Sequence, residues 1–296
     1  MSLASRCVRP ALQLPVNTQT TATSSTIPDV QGKHDVRHIA IDKVGVKGVT
    51  YPIRLKMPPT AAGSGPAEQT TVASINMYVS LPHDQKGTHM SRFMEVLNAH
   101  DRAFTPDEIP AITRSIRERL NSPDAHFEAS FTYFIKKFAP VTGQPSLMDY
   151  TVGFESHCHI GADGKVTDDL ILSVAAPATS LCPCSKEISK YGAHNQRCLI
   201  TAKVRFVGML WIEDLVTILE KSASMELYAV LKRPDEKYVT EKAYENPKFV
   251  EDIIRDLAIG LEREARITWY SISSENYESI HSHNAYAQIT RSKTHA

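Results

Sequence analysis

The sequence predicts an α+β fold of two tandem units, in each of which a pair of helices covers one face of an antiparallel sheet. Segments in which apolar and polar residues alternate indicate half-buried strands, and apolar residues at every third or fourth position indicate helices. The order strand, strand, helix, helix, strand, strand runs through the chain twice. We therefore assign the units to residues 29–162 and 163–296. The Ser- and Thr-rich tail at residues 1–28 lacks an amphipathic pattern and is expected to be disordered.

The first unit contains six predicted elements. A flexible stretch of small residues at 61–66 separates its first two strands. Thr105 and Glu108 have the spacing of a capping box, with Pro at the first helical position, so a helix is expected to begin at residue 106. In order, the predictions are a strand from about residue 40, a strand at 71–79, helices near 90–100 and over 106–121, and strands at 125–138 and 148–160.

The second unit repeats this order. Asn246, which precedes a proline, is predicted to cap the last helix, whose apolar residues form a wide stripe. That stripe consists of Val250, Ile253, Ile254, Leu257, Ala258 and Leu261. In order, the predictions are strands near 166–178 and 197–208, helices near 211–221 and 247–263, and strands near 266–276 and at the C-terminus.

The composition excludes several classes of protein. Lys plus Arg equal Asp plus Glu at 33 each, so no global positive field favours nucleic acid. No apolar run is long enough to span a membrane. Five cysteines, an odd number, follow no secretory signal, which indicates reduced thiols in the cytoplasm.

One polar, thiol-rich connection stands out as a candidate for chemistry, and it reads CPCSKEISKYGAHNQR over residues 182–197. Cys182 and Cys184 flank a proline that stiffens the turn, and His194 follows at the far end. A thiolate and an imidazole suit zinc or iron. Because no second cysteine pair lies nearby, an open site completed by a carboxylate and water fits better than a closed structural site. From spacing alone, two inert thiols and a core histidine are an equal alternative.

The other cysteines and histidines of the strands have a different interpretation. Cys158 and Cys198 lie on the apolar faces of alternating strands and are expected to be small core residues. His157 and His159 are expected on a polar face, without assigned chemistry.

The run at 182–197 closely resembles the signature of the type IB GTP cyclohydrolase I family. Three further segments are similar to that family, and together the matches span roughly residues 29 to 290. These segments are SLPHDQKGTHMSRF at 80–93, ELYAVLKRPDEK at 226–237 and YENPKFVED at 244–252.

The resemblance implies a tunnelling fold, a homotetramer with sites where units meet, and the conversion of GTP and water to 7,8-dihydroneopterin triphosphate and formate in folate biosynthesis. It also implies a divalent metal, zinc, manganese or iron, held by Cys182, His194 and Glu236 with water in an open position. By spacing alone, Glu236 would be an exposed carboxylate after a Pro-Asp turn.

The resemblance further assigns residues to the substrate. Glu251 is implied to anchor guanine, because a carboxylate can accept parallel hydrogen bonds from N1–H and the 2-amino group. His281 is implied to transfer protons, and Cys184 resembles a second active-site thiol. The densest candidates for the triphosphate, with Lys186 as another, are Lys86, His89, Ser91 and Arg92.

Two other functions remain open at this point. A related archaeal-type cyclohydrolase gives a cyclic phosphate of dihydroneopterin with ferrous iron. A non-catalytic tunnelling-fold protein would bind a purine or pterin around a structural metal, but the carboxylate of Glu236 argues against it.

Overall fold

The computed structural model describes residues 28–59, 68–100 and 103–293, and residues 1–27 of the predicted tail lie outside them. The described residues form nine strands and six helices. In chain order these are β1 (Ile41–Lys56), β2 (Glu68–Leu81), α1 (Met90–Ala99), α2 (Ile109–Leu120), β3 (Asp124–Phe138), β4 (Pro145–Ile160), β5 (Val166–Leu181), α3 (Pro183–Ile188), β6 (Asn195–Phe206), α4 (Ile212–Ser222), β7 (Met225–Glu226), α5 (Arg233–Glu245), α6 (Val250–Arg263), β8 (Ile267–Asn276) and β9 (Ala285–Ser292). No helix in these described segments is both long and apolar enough to cross a lipid bilayer.

All nine strands belong to one antiparallel sheet. Its order is β1-β2-β3-β4-β5-β6-β8-β9, and the short β7 pairs with β5. Helices α1 and α2 pack on the strands of the first half, and α4 and α6 pack on those of the second. The predicted α+β architecture of helix-backed antiparallel sheets is therefore confirmed, and the pairing of β4 with β5 joins the two sheets edge to edge. The boundary between units at residue 162 stays a prediction.

The core lies between the helices and the face of the sheet that they cover. Every second residue of the central strands is buried there, including Phe127, Tyr150 and Phe154. The predicted apolar stripe of α6 is buried along its whole length. Each such side chain contributes about 1.5–3 kcal/mol by leaving water, so the alternation in the sequence fixes which face of each strand meets the helices.

Two helix starts differ from the predictions. Helix α2 begins at Ile109, because Glu108 forms a turn through its backbone N–H to the Thr105 carbonyl (3.0 Å) and its side chain makes no capping bond. The predicted start at residue 106 is therefore wrong. Helix α6 begins at Val250, where Asp252 accepts a bond from the Phe249 N–H (3.0 Å). Asn246 instead ends α5 and donates to the Ala223 carbonyl (3.1 Å).

Helix α5 occupies a region where the sequence indicated only a Pro-Asp turn. Asp235 begins the helix by accepting the Lys232 N–H (2.9 Å), and it also accepts the amides of Val141 and Thr142 (2.9 and 2.8 Å). Only Asp235 and Ala243 of this helix are buried. A helix with so few buried residues has no apolar stripe to reveal it.

A buried ion cluster ties α4 and β7 to the sheet. Lys137 on β3 donates to Glu220 on α4 (2.9 Å) and to Glu226 on β7. Tyr150 also donates to Glu220 (2.7 Å), and Lys137 and Glu220 are each only 10% exposed. Burial raises the pKa of Glu220. At Glu226, burial opposes ionisation, but the hydrogen bond from Lys137 prevails and the pKa is lowered. One ammonium group therefore balances the buried carboxyl group of Glu220 and that of Glu226, whose side chain is 34% exposed.

We expect Lys137→Met to lower the free energy of unfolding by about 3–5 kcal/mol at pH 7, because it leaves two carboxylates without their cation. Without Lys137 both carboxyl pKa values rise above the unfolded value of about 4.3. The folded state then binds protons more tightly, so the deficit should shrink as the pH falls from 7 toward that value. Denaturant unfolding of Lys137→Met and of the exposed neighbour Lys136→Met checks this, and equal losses in the two variants would contradict it.

Candidate functional site

The register of β5 and β6 brings Cys182 and His194 together. Leu181 and Asn195 are the last paired residues of this antiparallel ladder, so Cys182 and His194 follow directly opposite one another. The Cys182 N–H donates to the His194 carbonyl (3.1 Å). Ser185 completes the link, since its hydroxyl donates to the Cys182 carbonyl (3.2 Å) and accepts the His194 N–H (3.3 Å). We call this end of the sheet the Cys182 end.

The thiol and the imidazole at the Cys182 end are both accessible and locally held. Cys182 precedes α3, and its Sγ accepts the Ser185 N–H (3.4 Å). His194 is half-exposed, and its Nδ1 lies 2.9 Å from the Ser279 hydroxyl. Nε2 of the imidazole is then the nitrogen left for another ligand. A soft thiolate beside an imidazole whose second nitrogen is engaged is a donor set that suits zinc or iron.

The connection between β8 and β9 packs beside His194. The Tyr277 N–H donates to the Arg197 carbonyl (2.9 Å), and Gln196 donates to Glu278 (3.0 Å). These contacts extend the pairing of β6 with β8 past its last strand residue. His281 lies two residues beyond Ser279, is exposed, and stacks on His283 with ring centroids 5.3 Å apart.

Glu251 and Lys186 also lie at the Cys182 end. The Lys248 N–H donates to the Leu181 carbonyl (3.0 Å), so the start of α6 is fixed to the end of β5, and Glu251 is an exposed residue of the first turn of that helix. Lys186 donates to the Tyr244 carbonyl (2.5 Å) at the end of α5 and lies over the Tyr244 ring. Its charge is therefore already engaged by the last turn of a helix, where cations are favoured.

Among the described residues, Glu236 does not form a three-residue ligand group with Cys182 and His194. It is exposed in the first turn of α5, next to Asp235, which is bound to the β3–β4 turn. Within residues 28–59, 68–100 and 103–293, no group of three or more His, Cys, Asp or Glu side chains could hold a metal ion. One chain therefore supplies two adjacent donors, and the third stays a prediction.

The other phosphate-binding candidates begin at the opposite end of the sheet. One row of paired residues crosses the sheet at that end. It runs from Val79 on β2 through Ala125 and Cys158 to Asp168 on β5. Asp168 lies thirteen residues before Leu181 on the same strand, which is roughly 40 Å of β-structure. Lys86, His89, Ser91 and Arg92 follow Val79 beyond that row. The strand row that precedes this group is therefore separated from Cys182 by a span longer than one nucleotide.

Cys158, Cys198, His157 and His159 lie in the surroundings that the sequence indicated for them. Cys158 and Cys198 are fully buried, and burial raises the pKa of the Cys158 thiol and raises that of Cys198 to about 12. His157 and His159 both lie within hydrogen-bonding distance of one oxygen of Asp124, at 3.0 and 2.7 Å. Cys184 is exposed on α3, two residues from Cys182.

Sequence reasoning missed Ser185 and Ser279 as residues that hold the site. Ser279 contacts His194 across 85 positions of sequence, and a single serine in a polar connection gives no signal of such a contact. For Ser185, its place three residues after Cys182 at the start of a helix is a usable hint, because hydroxyl side chains bond to nearby backbone groups there.

Comparisons with known proteins identify the family of the chain. The family of type I GTP cyclohydrolase FolE2 matches residues 27–287. A protein of Magnetococcus marinus named GTP cyclohydrolase FolE2 is 52% identical over 263 residues, covering 89% of this chain and 95% of the relative. A protein of the same name from Nitrosomonas eutropha is 51% identical, covering 92% and 98%.

Solved structures support the fold. Urate oxidase from Bacillus sp. TB-90 is similar with a TM-score of 0.52 at 8% sequence identity, covering 86% of this chain and all of that one. A uricase from Bacillus fastidious gives a TM-score of 0.50 at 9% identity, covering 85% and 93%. At such low identity the likeness concerns the arrangement of the chain alone, which is the tunnelling fold.

Proposed function

This chain belongs to the type I GTP cyclohydrolase FolE2 family, and from that premise we propose how its residues bind and convert GTP. The protein is a GTP cyclohydrolase of folate biosynthesis, which converts GTP and water to 7,8-dihydroneopterin triphosphate and formate. The chain matches relatives named GTP cyclohydrolase FolE2 over nearly their whole length. The cyclic-phosphate and non-catalytic alternatives are therefore not favoured.

The family uses a metal, and one observation carries its placement in this chain: Cys182 and His194 lie opposite each other at the Cys182 end, with Nε2 of the imidazole left available. We assign these two residues as ligands of a zinc, manganese or iron ion, with Glu236 as the third. A metal held there would supply the Lewis acidity that makes water a nucleophile near neutral pH.

The other proposed roles follow from the reaction at the purine. Glu251 anchors guanine by accepting hydrogen bonds from N1–H and the 2-amino group, a pair that adenine lacks. When water adds to C8 and the C8–N9 bond opens, His281 supplies the proton that N9 requires. Cys184, exposed beside Cys182, accepts or returns protons during the second hydrolysis that releases formate.

A complete site requires more than one chain under this assignment. If Lys86 and its neighbours bind the triphosphate, they must come from another copy, because their own copy holds them far from Cys182. This is the physical argument for more than one copy, and the number of four rests on the family resemblance. Lys186, which lies at the Cys182 end, would serve the same chain's site.

We expect Cys182→Ala and His194→Ala each to lose bound metal and formate release together, with GTP turnover reduced more than 100-fold, since removing a ligand leaves too few donors. Metal analysis of purified protein and a formate assay check this. Cys184→Ala is the matched control and should keep its metal. Full metal content in either ligand variant would contradict the assignment.

Glu251→Ala should retain metal and lose about 100-fold or more in kcat/KM for GTP, because it removes two hydrogen bonds to a charged acceptor. The matched control is Glu187→Ala, which removes an exposed carboxylate at the same end of the sheet. Steady-state kinetics and direct GTP binding give the answer, and unchanged GTP affinity would refute the anchor.

Mixing two inactive variants tests the contribution of a second copy. Lys86→Ala and Cys182→Ala chains should each be impaired alone. When dissociated and reassembled together, they should recover a fraction of the wild-type activity, since some sites then draw both intact residues from different chains. An active Lys86→Ala homo-oligomer, or a mixture that stays inactive, would rule out the assignment of Lys86.

A further inference from the structure

The orientation of the His194 ring depends on one hydroxyl from a distant part of the chain. Both backbone groups of His194 are already fixed, because its carbonyl accepts the Cys182 N–H and its N–H donates to Ser185. The ring can still rotate about its side-chain bonds. Its Nδ1 lies 2.9 Å from the Ser279 hydroxyl.

Ser279 is held in place by the residues that precede it. The Tyr277 N–H donates to the Arg197 carbonyl, and Gln196 donates to Glu278. The first of these contacts continues the antiparallel register of β6 and β8 by one residue, and the second ties the side chain before Ser279 to β6. A hydroxyl next to residues that are bound to a strand can fix a ring more firmly than one on an unsupported loop.

We propose that Ser279 is a positioning residue that accepts a hydrogen bond from His194 Nδ1–H, so that Nε2 presents its lone pair to the metal. The inference rests on the proposed role of His194 as a ligand. A neutral imidazole carries one N–H, and a nitrogen that binds metal must be the other one. With Nδ1 at 2.9 Å from Ser279, Nε2 is the proposed ligating atom, and ligation through Nε2 leaves the proton on Nδ1, where the hydroxyl accepts it.

The same arrangement links the metal ligand to the proposed proton donor. Ser279 and His281 lie two residues apart in one connection, so the hydroxyl that orients His194 also locates the start of the segment that carries His281. Loss of the Ser279 contact should therefore loosen both groups.

The decisive comparison is between Ser279→Thr and Ser279→Val, which have the same shape but differ in the hydroxyl. The affinity of the full-length, metal-stripped protein for Zn²⁺ and for Mn²⁺ is measured by competition with a chromophoric chelator. We expect the Val substitution to weaken binding about 10- to 100-fold and the Thr substitution to stay within about threefold of wild type. Ser282→Ala, an exposed serine of the same connection, is the matched control and should bind as wild type does.

A second readout separates positioning from general damage. Nitrogen-15 NMR of the metal-free protein reports which nitrogen of His194 carries the proton. Wild type and Ser279→Thr should show protonation at Nδ1, and Ser279→Val should shift toward Nε2. If Ser279→Val does not fold, Ser279→Ala takes its place in both measurements.

The outcomes distinguish this inference from the proposed function. Wild-type metal affinity in Ser279→Val, with metal lost in His194→Ala, overturns the positioning role and leaves the ligand assignment intact. Wild-type affinity in His194→Ala overturns the ligand assignment and the inference with it. Equal weakening by Thr and Val overturns the role of the hydroxyl.

Discussion

The pairing of β5 with β6 is the constraint on which the site depends. Along this ladder, Ala178 faces Cys198 and Ala176 faces Ile200, and all four side chains are fully buried beneath the helices. A slip of one residue would turn this set toward solvent, because side chains of a strand alternate between its two faces. Burial of apolar residues therefore fixes the register, and the register sets Cys182 opposite His194. The same packing that stabilises the sheet positions the two donors.

Around that pair, the other elements are attached by polar contacts at strand ends. The start of α6 binds the end of β5 through Lys248, and the β8–β9 connection binds His194 through Ser279. Connections on a rigid scaffold are where chemistry is usually placed, since their backbones are exposed and their ends are fixed. The buried cluster of Lys137, Glu220 and Glu226 secures the neighbouring β7, which pairs with β5 three residues before Cys182. Strand β5 therefore contributes both to the stability of the fold and to the geometry of the site.

Much of the fold could be predicted because its signals are local. Alternation gave β3 and β4 nearly to their ends, and the apolar stripe of α6 named six residues that are all buried. Helix α5 was not predicted, because Asp235 and Ala243 are its only buried residues and it has no apolar stripe. The capping pattern of Thr105 and Glu108 predicted a helix start that is too early, because these two residues form a turn that precedes the helix. Cys182 and His194 were proposed from their residue types, but Ser279 contacts His194 from a distant part of the chain and leaves no local pattern.

The length of the sheet carries one further consequence for assembly. Each chain presents Cys182 at one end of the sheet and Lys86 in the connection that follows β2 at the other, and β5 spans roughly 40 Å between those two ends. If both groups serve one GTP, the Cys182 end of one chain must meet the end of a second chain that carries Lys86. A twofold axis satisfies that requirement. The contact between the Cys182 end of one chain and the Lys86 connection of its partner is then made a second time with the two chains interchanged. Such a pair contains two equivalent sites, and neither would be complete in a single copy. The tandem repeat of helix-backed sheets would then set how far apart those two sites lie.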